Sequence, residues 1–311
     1  MATRSQIASA KVISGLMLAI WVDSALALDP TKAITQYHLD IWTEREGLPQ
    51  GSVQAITQTH DGYLWIGTRD GLSRFDGVTF TTFRAETTAG LLANDIRALC
   101  EDSAKQLWIG TFNGGLSCYS DGRFKSYTTK DGLPSVGVLD IFQDRNGKVW
   151  FGTWNGLAHR EAGRFITYGT GEGLVGGDVR SICEDSRGQL LVATGDALNR
   201  LAGDRFEPAI KAARLPESPL RKVHTGGDGT LWIATIGEGL FSLRDDRGKV
   251  YTKREGLPDN KVETVLQDRN GNTWIGTWSG LCRLQNQSFA TLCRQDGLPH
   301  DYIQALHEDW E

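Results

Sequence analysis

The stretch Val262-Glu263-Thr264-Val265-Leu266-Gln267-Asp268-Arg269-Asn270-Gly271-Asn272-Thr273-Trp274-Ile275-Gly276-Thr277-Trp278-Ser279-Gly280-Leu281-Cys282-Arg283-Leu284-Gln285-Asn286-Gln287-Ser288-Phe289-Ala290-Thr291-Leu292 decides the class of fold. Its first six residues are rich in β-forming types and stop at Asp268-Arg269-Asn270-Gly271, a turn-forming run. Thr273 to Thr277 then reads as a second strand, ended by Ser279-Gly280. Leu281 to Leu284 and Phe289 to Leu292 follow, with a turn near Asn286 between them. The pattern is four short strands, A to D in chain order, joined by three tight turns. No ten-residue window keeps the apolar period of about 3.6 residues that a helix requires.

The same unit recurs along the chain. Leu64-Trp65-Ile66-Gly67-Thr68, Leu107-Trp108-Ile109-Gly110-Thr111, Val149-Trp150-Phe151-Gly152-Thr153 and Leu231-Trp232-Ile233-Ala234-Thr235 align with Thr273-Trp274-Ile275-Gly276-Thr277. A degenerate copy, Leu190-Leu191-Val192-Ala193-Thr194, fills the one gap, and the spacings between markers are 43, 42, 41, 41 and 42 residues. A second marker keeps the same beat: Gly47-Leu48-Pro49, Gly132-Leu133-Pro134, Gly256-Leu257-Pro258 and Gly297-Leu298-Pro299, with altered copies at Gly90, Gly173 and Arg214. A period of about 40–45 residues means a propeller or a helical array, and four strands per period make it a propeller blade. Gln36–Trp42 stands where the other repeats have strand D, and Tyr302–Asp309 reads as a seventh strand A. The expected fold is therefore all-β: a β-propeller of six complete four-stranded blades plus a split seventh made from both chain ends. The composition agrees, since 37 Gly and 10 Trp against 2 Met in 311 residues suit short, turn-rich strands rather than helices.

Within each repeat the marker Trp (Trp65, Trp108, Trp150, Trp232, Trp274) is expected to pack between neighbouring blades. A sugar- or base-stacking role for the same residues is the other reading. The Gly two positions later reads as a point where adjacent sheets approach closely. The Asp-containing A–B turns lack the carboxylate spacing of an EF-hand loop, so no calcium site is expected there. Cys100, Cys118, Cys183, Cys282 and Cys293 show neither C-x-x-C nor Cys/His spacing, so no zinc site is expected either. Cys100 and Cys183 occupy matching places in two repeats and read as small core residues.

At the amino terminus, Arg4 and Lys11 precede an apolar run from Val12 to Val22, followed by Ala25-Leu26-Ala27. Eleven residues at ~1.5 Å rise span about half of a ~30 Å bilayer core, so residues 1–27 read as a cleaved signal peptide and 28–311 as the propeller. The expected location is periplasmic. Lys plus Arg total 33 against 38 Asp plus Glu, a net charge of −5, which leaves no basic excess to bind nucleic acid.

The pattern Asp-x-x-Gly-x-Leu-Trp-Ile-Gly-Thr-x-x-Gly-Leu, followed about 20 residues later by Gly-Leu-Pro, resembles the two-component regulator propeller repeat. The resemblance runs from about Gln36 to Glu311. It implies the periplasmic sensor region of hybrid histidine kinases or membrane-bound diguanylate cyclases. Family members usually continue into further blades, a small β-sandwich, a membrane helix and an output domain, so a chain truncated at its C-terminus is one expectation. The fourth repeat departs from the pattern, with Leu191 for Trp and Gly195-Asp196-Ala197-Leu198 for the usual turn, and its blade is expected to be distorted.

Catalytic motifs are absent: the six His are scattered, with no H-E-x-x-H, no G-x-S-x-G and no phosphate-cradling loop. The leading function is a ligand-sensing module without an output domain, neither enzyme nor cofactor protein. A propeller-type lyase or hydrolase, a structural interaction scaffold and a gene fragment remain as alternatives. Expected partners are a small polar or glycan-like ligand and a membrane-bound kinase or cyclase, or a second copy of the chain. The B–C turns vary while their flanks repeat, which marks a binding rim. Phe112-Asn113, Trp154-Asn155 and Trp278-Ser279 place large aromatics beside amide or hydroxyl groups, a combination suited to a sugar ring; Arg69-Asp70 occupies the same turn in the first blade. The bland alternative is that these rings cap neighbouring blades.

Overall fold

The computed structural model describes residues 32–210, 216–245 and 247–310 in full, and the backbone alone of 7–8, 10–13, 17–19 and 22–23. Six four-stranded antiparallel sheets follow one another, each with its strands in chain order. Blade 2 is typical: strand A Ile96–Glu101, B Leu107–Thr111, C Leu116–Ser120 and D Arg123–Tyr127. Its counterparts begin at Val53, Val138, Ser181, Leu220 and Val262. Among the described residues the only helical turns are three-residue 3-10 turns, and no helix is long and apolar enough to cross a membrane.

The marker tryptophans lie between blades, as the repeat predicts. Trp108 clusters with Leu116 and Tyr127 of its own blade and with Val138, Ile141 and Phe151 of the next. Trp65, Trp150, Trp232 and Trp274 sit in the same way at the following interfaces. The Gly two positions after the Trp, present in blades 1, 2, 3 and 6 and replaced by Ala234 in blade 5, makes this contact possible. A Cβ at Gly152 would fall 2.6 Å from Cγ1 of Val179, two residues before the next strand A, and Gly67 and Gly110 meet Ile96 and Val138, which open theirs. A repeated hydrogen bond fixes the Trp ring. The A–B turn Asp accepts turn amides on one carboxylate oxygen and the indole Nε1 on the other: Asp102 to Trp108 at 2.7 Å, Asp144 to Trp150 at 2.9 Å, Asp268 to Trp274 at 2.8 Å. All five cysteines are free thiols, and Cys183 is buried in the interface between blades 4 and 5. Blade 4, which lost its Trp, keeps only four residues in each of strands A and B.

The two chain ends meet between blades 6 and 1. Ile34 and Tyr37 pack against Trp274, Leu281 and Leu292 of blade 6, and Arg283 donates to the Tyr37 hydroxyl at 2.6 Å. Trp42 stacks edge-on against Phe75 of blade 1, with ring centroids 5.4 Å apart. Ala305–Glu308 lies between strands Val262–Gln267 and Val53–Gln58, and the Trp310 amide donates to Gln58 Oε1 at 2.9 Å. Ala305–Glu308 and Asp40–Trp42 do not pair directly. They are the outer strands of one sheet whose inner strands are Ala10–Ile13 and Met17–Ala19. Apart from the backbone of those segments, the expected signal peptide, residues 1–27, lies outside the described residues, as do Arg214 and Leu215 of the fifth crossover marker.

Candidate functional site

Strand A lines the central channel, and in five of the six blades, all but blade 4, a β-bulge sits at the start of it. The register with strand B slips between Val53 and Ala55, Ile96 and Ala98, Val138 and Asp140, Leu220 and Lys222, and Val262 and Thr264. A bulge turns the extra side chain away from the sheet face. Here the extra residues are Gln54, Arg97, Leu139, Arg221 and Glu263, and all of them border a cavity of about 160 Å³ at the channel mouth, together with Arg180, Gln304, Asp140 and Lys222. The mouth is thus polar although the residue before each bulge is a buried Val, Ile or Leu.

Ion pairs organise this ring. Arg97 lies 2.8 Å from Asp95 and donates to Gln54 at 3.2 Å, while Gln54 donates to Gln304 at 3.1 Å. Arg180 pairs with Asp178 at 2.7 Å and donates to the Leu220 carbonyl. Across the channel, Lys222 reaches Asp140 at 3.1 Å. Glu263 is nearly enclosed and accepts from Arg221 Nε at 2.6 Å and from Trp278 Nε1 at 2.8 Å. Burial works to raise its carboxyl, but the Arg221 charge and these hydrogen bonds outweigh it and hold Glu263 below the ordinary glutamate range. The neighbouring Tyr302 hydroxyl is pushed up to about 12 by burial and by the Glu263 charge.

The B–C turns open onto the same rim as the channel mouth. In each blade the Thr that ends strand B donates to the carbonyl that begins strand C, at 2.8–2.9 Å in blades 1, 2, 3, 5 and 6. This clamp holds the turn shape and leaves the two or three tip residues between its ends free to vary. Phe112 and Trp154, from adjacent blades, meet edge to face with centroids 5.9 Å apart, and Arg97 of the mouth lies 4.6 Å over the Phe112 ring. Trp278 meets Tyr302 at 5.3 Å and carries Lys261 4.0 Å over its face. These rings are 39%, 44% and 43% exposed, so each is held in part by its neighbours and in part open. Trp154 also lies over Gly137 of its own blade, so the rings do cap local backbone while still presenting a face. Asn113 and Asn155 are exposed beside them, and Ser279 donates to Asp259 at 2.8 Å. The expected residues therefore form two stations rather than one pocket. Phe112 and Trp154 make the first and Trp278 the second, with no ring contact joining them among the described residues. Arg69 and Asp70 belong to neither, and Asp70 is paired with Arg84 at 3.2 Å.

The comparison with known families falls on these same elements. The model for the two component regulator propeller matches residues 47–70, 90–113, 132–155, 173–196 and 256–279, each window running from the crossover through strands A and B to the B–C turn. The chain carries two-component regulator propeller repeats. A segment of 61 residues is 43% identical to histidine kinase P4 of Formosa agariphila, covering 20% of this chain and 4% of the kinase. Among solved structures, the extracellular domain of the hybrid two component system BT3049 from B. thetaiotaomicron superposes with a TM-score of 0.72 at 20% identity, over 84% of this chain and 38% of that one. Virginiamycin B lyase from Staphylococcus aureus has a TM-score of 0.63 at 18% identity, over 78% of this chain and 84% of the lyase. At these identities the structural likenesses establish a shared propeller fold. The chain spans only a small part of the kinase and under two fifths of the BT3049 domain.

Proposed function

We propose that the chain is the periplasmic ligand-sensing propeller module of a bacterial signal-transduction system, reading a small polar or glycan-like molecule where the B–C turns surround the channel mouth. The observation that carries this reading is the pair of half-exposed aromatic stations, each fixed beside a cation and contiguous with a polar, bulge-built mouth. Aromatic faces beside amides and charges match the C–H faces and hydroxyl edges of a sugar. The repeats themselves support a sensor, with export through residues 1–27 and a membrane-bound kinase or cyclase, or a second copy, reading the occupied state. The test is a thermal-shift screen of the purified protein against an oligosaccharide panel. Saturating ligand should raise the melting temperature by several degrees, because binding to the native state alone adds about 2.7 kcal/mol at a hundred times Kd. A panel without any shift would favour the scaffold, and turnover of a lyase or glycosidase substrate would replace sensing by catalysis.

We also propose that the ring closes seven-fold, with Gln36–Trp42 and Tyr302–Asp309 sharing the seventh blade. The packing of Ile34 and Tyr37 on blade 6, of Trp42 on blade 1, and the Trp310 to Gln58 hydrogen bond support it. Cleavage after residue 27 would withdraw the two inner strands of that sheet and expose two strand edges.

A further inference from the structure

We propose that the ligand read at the Trp278 station is an acidic sugar, whose oxyanion seats on the free end of the Arg221 guanidinium while its ring stacks on the Trp278 face. This deepens the sensing reading and rests on it. Four cationic side chains border the mouth, Arg97, Arg180, Arg221 and Lys222, against two acids, Asp140 and Glu263, although the chain as a whole is at −5. Asp95 and Asp178, which pair with Arg97 and Arg180, stand on the crossovers outside the cavity wall, so these two guanidinium groups are drawn away from the cavity.

Three of the four cations are committed. Arg97 spends its nitrogens on Asp95 and Gln54, Arg180 on Asp178 and the Leu220 carbonyl, and Lys222 on Asp140. Arg221 differs. Only its Nε has a partner among the described residues, Glu263 at 2.6 Å, and its side chain is 32% exposed at the cavity wall. The two terminal nitrogens are left as a fork, which matches a carboxylate or sulfate in bidentate geometry. The anchoring at Nε orients that fork in advance, which lowers the entropy lost on binding.

Glu263 couples the fork to the aromatic. One of its oxygens accepts from Arg221 and the other from Trp278 Nε1 at 2.8 Å, so both groups are tied to one carboxylate. That carboxylate stays ionised at neutral pH, because its partners hold its pKa down. An indole and a guanidinium fork are thus tied to the two oxygens of one acid, so a ring stacked on the first can bring an oxyanion to the second.

Isothermal titration of the full chain tests this with three probes: trigalacturonic acid, its methyl ester as the neutral counterpart, and a sulfated galactose disaccharide. An acidic probe should bind about tenfold tighter than the ester at low salt, and that advantage should shrink at 0.5 M salt as the pair is screened. The carboxylate and sulfate arms identify which oxyanion is read. Arg221→Met should abolish the advantage. Arg221→Met with Glu263→Gln should do the same without leaving a buried charge unpaired, and melting curves report whether each variant folds. Equal affinity for acid and ester would overturn the inference and leave glycan sensing standing, as would an acidic advantage that survives both variants in folded protein. Binding by none of the three, acid or ester, would remove the acidic-sugar inference, while a shift by neutral members of the wider panel would still support the sensor.

Discussion

Trp108 and Trp154 are the same residue type in the same kind of repeat, and burial alone separates them. Trp108 is 2% exposed and hydrogen-bonded to Asp102, whereas Trp154 is 44% exposed. Trp108→Ala should cost about 3–5 kcal/mol and Trp154→Ala about 1 kcal/mol in urea melts; equal losses would contradict the assignment of core and rim. Trp232 gives a finer control. Gly226 stands where blades 2, 3, 4 and 6 have Asp and blade 1 has Thr59, and Trp232 Nε1 has no hydrogen-bond partner among the described residues. Replacement by Phe should therefore cost about 1–3 kcal/mol more at Trp108, where it orphans a carboxylate oxygen of Asp102, than at Trp232. His224 sets a pH dependence. Its Nε2 accepts the Gln267 amide at 3.1 Å, and burial, with help from Lys222, pushes the imidazole down to about 4 from an ordinary 6.5. The folded state keeps it neutral while the unfolded chain takes up the proton, so stability falls as pH drops from about 6.5 to 4, by up to about 3 kcal/mol. His159 is shifted the same way by burial and Lys148 and adds to the slope. Denaturant melts of His224→Gln between pH 7.5 and 4 should show a flatter profile than wild type; an unchanged slope would exclude His224 as its source.

At the scale of the element, the strands and turns were legible because Asp, Gly and Thr repeat at positions that hydrogen bonding fixes. The B–C turn was legible as variable for the complementary reason, since the Thr clamp leaves only two or three tip positions unconstrained. The channel mouth was not read from the sequence. Its residues are Gln54, Arg97, Leu139, Arg221 and Glu263, second in their strands A, with Arg180 and Gln304 just before theirs. A polar residue directly after a buried Val, Ile or Leu looks like the solvent face of an ordinary strand. Only the bulge redirects it, and a bulge needs the partner strand to be seen. A signal was present all the same: six of these seven positions are polar at one fixed place in a 42-residue period. The clasp between blades also went unread. The second A–B turn residue donates its amide to the acidic or amide side chain that ends the next strand A: His60 to Glu101 at 2.7 Å, Ser103 to Gln143 at 2.9 Å, Arg145 to Glu184 at 3.1 Å. Truncating one acceptor, as in Glu101→Ala, should cost about 1–2 kcal/mol in a urea melt. A change within about 0.5 kcal/mol would show that inter-blade packing alone holds the ring.

The whole molecule joins a regular scaffold to an irregular face. Six blades followed from two markers of one period; blade 4, which lacks the Trp, is nonetheless a four-stranded sheet in unbroken A–B register, with strands A and B of four residues each. The grouping of the rim aromatics did not follow, because angular position around a ring is set by how the blades stack and not by spacing in the chain. Closure is the feature on which the whole ring depends. Deleting Gln36–Trp42 removes the buried Tyr37 and the Trp42 contact to Phe75, and should lower the melting temperature by more than 5 °C; an unchanged value would count against a seventh blade. The central claim is that the face bearing the B–C turns and the channel mouth receives the ligand. Hydrogen–deuterium exchange of the full chain, with and without the oligosaccharide giving the largest thermal shift, tests it most directly. Protection should concentrate at 110–115, 152–156, 259–264 and 276–280 and spare the A–B turns at 102–106, 144–148 and 268–272. Protection centred on the A–B turns instead would contradict it.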